Sequence, residues 1–189
     1  MEPQPIRVLL IEDDEDDYRL TRELLADIRG NGIRLDWVQD YEAALEQCDH
    51  AIELNPHFSP AYWILGLVQE QRCEFDESAA AFQRAIQLSP QSPLMRAALG
   101  RTFALSGKQS EALRILQELH DLAEKRYVSP FELASLHFAL GQADEGFQWL
   151  AKAFQDRCFE LISLRVDPRW ESLRGNPRFR KLLDQLGLP

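Results

Sequence analysis

The sequence predicts a mainly α-helical chain, a solenoid of antiparallel helix pairs preceded by a small β-α-β unit. Three observations lead there. From Ser59 onward, apolar and small residues recur with a period of 34. Each period divides into two stripes with the three- and four-residue spacing of amphipathic helices. The first forty residues instead carry two apolar runs of strand length with a helical pattern between them.

The period is seen by aligning the segments that begin at Ser59, Pro93 and Tyr127. Leu65, Leu99 and Leu133 share a column, followed by Gly66, Gly100 and Ala134. Phe82, Leu116 and Leu150 form a second column, and Ala85, Leu119 and Ala153 a third. Small residues at the Gly66 and Gly100 positions predict close approach of paired helices. Gly107 and Gly141 fall between the helices of a pair, where a left-handed residue closes the first helix. Pro90 stops the second helix because proline cannot continue one. Repeats of this kind bury a continuous core only by stacking on their neighbours.

The stretch Ala61-Tyr62-Trp63-Ile64-Leu65-Gly66, with Phe82-Gln83-Arg84-Ala85-Ile86-Gln87-Leu88-Ser89-Pro90, resembles the tetratricopeptide repeat (TPR). The second repeat matches it through Leu99, Gly100, Gly107, Ala112 and Leu116, the third through Leu133, Ala134, Gly141 and Ala153. Ser78 and Gly146 stand where alanine is usual, and Cys73 where glycine is usual. Tyr41, Ala44, Cys48, Ala51, Ile52, Leu54 and Pro56 extend the pattern backwards by half a repeat. The expected organisation is a β-α-β unit over 1–40 and a solenoid over 41–157. The solenoid divides into a half repeat, 41–58, and repeats 59–92, 93–126 and 127–157. A helical cap over 158–189 follows, with Asn176 and Pro177 opening its last helix.

The N-terminal segment reads as a strand Ile6 to Ile11, an acidic run Glu12 to Asp17, a helix with Leu20, Leu24, Leu25 and Ile28 on one face, and a strand Ile33 to Val38. Val8 to Asp14 and the run Thr21 to Leu25 resemble the opening of a response-regulator receiver domain, which is flavodoxin-like. That resemblance implies weak, vestigial magnesium binding at Glu12 and Asp13, since carboxylate oxygens suit a hard cation. It covers about the first 45 residues and stops before an acceptor aspartate. Aspartyl phosphorylation controlling the repeats is therefore the alternative reading. Strand Val8 to Ile11 would keep an open edge, which a second copy can pair to form a homodimer.

Of the net charge of −10, all resides in residues 1–58, with fifteen Asp and Glu against five Lys and Arg. An acidic chain without a basic face argues against nucleic-acid binding. No apolar run approaches the ~20 residues of a membrane span, and no signal peptide is visible, so a cytoplasmic location is expected. Cys48, His50 and His57 match no zinc spacing. His120 and His137 lie in no catalytic motif, and no phosphate-binding glycine loop is present, so neither an enzyme nor a cofactor is expected.

The TPR resemblance implies a concave face formed by positions two, five, nine and twelve of each repeat. Here these are Pro60, Trp63, Leu67 and Glu70; Leu94, Ala97, Arg101 and Ala104; Val128, Phe131, Ser135 and Phe138. Trp63, Phe131 and Phe138 are the expected anchors for a protein or peptide partner. Of the Lys, Asn and Arg residues with which some family members clamp a C-terminal carboxylate, Arg101 alone is present, so an apolar or amphipathic peptide fits better.

Overall fold

The structure is a computed structural model and describes residues 6–11, 19, 22, 33–38 and 40–188. Strands β1 (Ile6–Ile11) and β2 (Ile33–Val38) pair in parallel, with Ile6 opposite Ile33 and Ile11 opposite Val38. Parallel strands need a crossover connection. The helix expected to supply it lies outside the described residues except for Arg19 and Arg22, both helical. The β-α-β unit as a whole, like its acidic run, therefore stays an expectation.

Seven helices follow in antiparallel succession: α1 (Tyr41–Leu54), α2 (Ser59–Gln71), α3 (Phe75–Leu88), α4 (Pro93–Leu105), α5 (Gln109–Ala123), α6 (Pro130–Ala139) and α7 (Ala143–Gln155). Helix α2 packs on α3, α4 on α5 and α6 on α7, while α4 also meets α6 of the next pair. Asp40 opens α1 by accepting the Ala43 amide at 2.8 Å, which satisfies one of the free N–H groups of the first turn. Proline sits in the first turn of α2, α4 and α6, where its missing N–H has no consequence.

The turn inside each pair is built the same way three times. Cys73, Gly107 and Gly141 have φ of 60°, 81° and 76°. The amide one residue further on bonds back across the turn, Glu74 to Gln69, Lys108 to Phe103 and Gln142 to His137, at 2.9, 2.8 and 2.9 Å. This is the Schellman closure that a left-handed residue permits, and Cys73 adopts it without being glycine.

Helix separation is set by side-chain volume. A methyl group on Gly100 would lie 2.9 Å from Ile115 Cγ2 and 3.1 Å from Leu136 Cδ2. At Gly146 it would lie 2.8 Å from the Phe138 ring, so the absent alanine of the third repeat makes room for that ring. The Ser78 hydroxyl, also where alanine is usual, donates to the Gly66 carbonyl at 2.8 Å.

Two cores result. One runs through α3 to α6 around Phe82, Leu119, Leu133 and Leu136. The other joins the last pair to the C-terminal cap, which consists of 3-10 turns Phe159–Ser163 and Pro168–Leu173 and helix α8 (Pro177–Leu186). Asn176 caps α8 by accepting the Arg178 amide at 2.9 Å. Trp170 is the centre of this second core, with ring centres 5.0 Å from Phe131, 5.8 Å from Phe138 and 6.3 Å from Phe179.

Candidate partner-binding cleft

The first helices of the three pairs, α2, α4 and α6, share one face, and the turn Pro168–Leu173 folds back across part of it. Between them lies a cleft of about 300 Å³. Besides Gln71 of α2 and Arg169 and Ser172 of the turn, its polar lining takes one side chain from each helix: Glu70, Arg101 and Ser135.

These three form a ladder. Arg101 Nη2 lies 2.7 Å from Glu70 Oε1 in an almost fully buried ion pair. Arg101 Nη1 donates to Ser135 Oγ at 3.3 Å. Thr102 Oγ1 donates to the other Glu70 oxygen at 2.6 Å, and Ser78 Oγ lies 3.2 Å behind it. Glu70, Arg101 and Ser135 were expected to face a partner. They line the cleft but are each only 4% exposed. Because the Glu70 and Arg101 charges offset one another, the base offers an incoming chain little free charge. Breaking a buried pair leaves the other charge unmatched, at about 3–5 kcal/mol.

The rest of the lining is largely apolar: Phe138 and Ala139 of α6, Trp170 and Leu173 of the turn, and Phe75 and Leu105. The turn is fastened by Arg169, whose Nη2 lies 2.6 Å from Asp167 Oδ2 and whose Nη1 lies 3.4 Å from Glu132 Oε1. Burial pulls the Arg169 pKa down, but the charges of Glu132 and Asp167 outweigh it and raise the pKa overall. Its guanidinium also covers the Phe131 ring, at 5.3 Å from the centre.

The expected anchors separate here. Phe138 is a wall of the cleft. Trp63 and Leu67 are half-buried against the first core and do not line it. Ala97 is buried in that core. Phe131 corrects the expectation most sharply: it is 0% exposed because Trp170 and Arg169 lie over it, so it supports the fold. Sequence reasoning missed Trp170, Leu105 and Phe75 as cleft residues. The signal was a tryptophan directly after Asp167-Pro168-Arg169: a ring of that size in a turn has to cover something. Glu12 and Asp13 lie outside the described residues.

A solenoid of helix pairs with a cleft on its first-helix face is the architecture of a repeat protein. A family profile described as tetratricopeptide repeat matches residues 38–93 and 74–127, so this stretch carries TPRs. No curated protein matches the chain. Among solved structures, the crystal structure of MamA matches over 93% of this chain and 94% of that one, at 14% identity and a TM-score of 0.46. None of these matches supports the receiver resemblance of the first residues. Among the described residues, no helix is long and apolar enough to cross a membrane.

Proposed function

We propose that this protein is an interaction scaffold that seats a short segment of a protein partner in the cleft between α2, α4, α6 and the turn Pro168–Leu173. The observation that carries the reading is the combination of aromatic and aliphatic walls with a self-neutralised polar base. Apolar walls favour burial of a partner's side chains, roughly 25 cal/mol per Å² removed from water. An ion pair that is already satisfied gives a charged group no partner there. The expected ligand is thus an extended or amphipathic peptide that inserts an aliphatic or aromatic side chain, not a free carboxylate.

Leu105 is the position for a test, since it lines the cleft and is 47% exposed. Peptides selected from a displayed library against the whole chain should lose at least about tenfold in affinity on Leu105→Glu, or ~1.4 kcal/mol, with the circular dichroism melt unchanged. Peptides that bind the variant as tightly would place the binding face elsewhere.

A further inference from the structure

Away from the cleft, three rings from three helices meet. His120 near the end of α5 lies 5.6 Å from His137 of α6 and 5.5 Å from Trp149 of α7, between ring centres. His137 and Trp149 are nearly parallel, at 16° and 6.4 Å. His137 is 5% exposed. Its Nδ1 lies 2.7 Å from Gln142 Oε1; an amide oxygen can only accept, which assigns the proton to Nδ1 and the lone pair to Nε2. That atom is buried and finds no hydrogen-bond partner among the described residues. An unused buried acceptor is destabilising, and neither the repeat packing nor the cleft gives it a purpose.

We propose that His120 and His137 are the protein ligands of a binding site for a divalent transition-metal ion of the nickel, copper or zinc class, with water in the remaining positions. Imidazole nitrogen is a preferred donor for these ions. Two imidazoles sharing one ion at about 2.0–2.1 Å have ring centres roughly 5 Å apart at a tetrahedral angle and roughly 6.4 Å apart at a linear one; the pair here stands at 5.6 Å. Gln142 supplies what a ligating histidine needs behind it, an acceptor that holds the other ring N–H and leaves the ligating nitrogen unprotonated. His120 is half-buried, so this side of the pair is partly open to solvent. The other charges at this place are the Asp121 carboxylate, which accepts from Gln117 at 2.8 Å, and the Lys152 ammonium, 5.1 Å from the Trp149 ring centre.

Trp149 is a built-in reporter, because paramagnetic nickel quenches a nearby indole. The experiment titrates nickel chloride into the whole chain carrying Cys73→Ser, which removes the exposed thiol, and follows tryptophan fluorescence and heat. The expected result is saturable quenching with one ion per chain. Trp149→Phe should lose most of the quenching and keep the heat. His120→Ala should weaken binding at least about tenfold, and Gln142→Ala by about tenfold or more, as loss of an outer-shell partner does. The joint change His50→Gln and His57→Gln should leave binding as it was. Since His137 is buried and its replacement risks the fold, His120 and Gln142 carry the test. Unchanged binding in His120→Ala, or no saturable quenching at millimolar nickel, would overturn the site.

Discussion

Arg101 and Glu70, thirty-one residues apart and on the first helices of successive pairs, meet in an ion pair of 2.7 Å that is closed to solvent. Their separation, close to one period, makes this a bond between repeats rather than within one. Arg101→Ala is expected to lower stability by about 3–5 kcal/mol, because Glu70 keeps a buried charge without its counter-ion. The double replacement Glu70→Leu with Arg101→Met is expected to cost less than the single one. Urea denaturation of Arg101→Ala, the double variant and its single parts Glu70→Leu and Arg101→Met tests this; a double variant as damaged as the sum of its parts would show that the two side chains act independently.

Phe131 and Leu105 should behave oppositely. Phe131→Ala empties a place at the centre of the second core and should cost about 3–5 kcal/mol. Leu105→Glu changes a half-exposed rim position and should leave the melting temperature within error while weakening peptide binding. A thermally unaffected Phe131→Ala would mean that Trp170 does not lie over it.

Gly146→Ala should destabilise the third pair by about 1–3 kcal/mol, since the new methyl overlaps the Phe138 ring. Replacing Phe138 with leucine in the same chain should recover part of the loss. Equal stability of Gly146→Ala and the unmodified protein, measured by calorimetry, would contradict the close approach of α7 to α6.

The cysteines divide by burial. Cys73 is exposed, whereas Cys48 is 2% exposed. Burial, and behind it the Asp49 charge, pushes the Cys48 pKa up to about 11. Iodoacetamide at pH 8 should label Cys73 well before Cys48 or Cys158, as peptide mapping would report. The sign of the linkage follows: the folded state favours the neutral thiol. The contribution of Cys48 is complete below its ordinary value of 9.0 and is lost as pH rises through about 11. Labelling of Cys48 at the rate of Cys73 would show that α1 is not packed on α2.

Much of this was legible in the chain itself. Helix pairs, the left-handed turns at Gly107 and Gly141, and the cap at Asn176 follow from hydrophobic period and backbone stereochemistry, which act over a few residues. Repetition with a period of 34 then makes each local solution recur. Position in the repeat also brought Glu70, Arg101, Ser135 and Phe138 to one face, and all four line the cleft. It did not reveal that the first three satisfy one another, nor that Phe131 lies under a lid. Those outcomes depend on the turn Pro168–Leu173 returning across α6, where Arg169 reaches Glu132 from thirty-seven residues away. A periodic pattern encodes which face a side chain takes, but whether that face stays open is decided by a non-repeating segment whose contacts have no period to read.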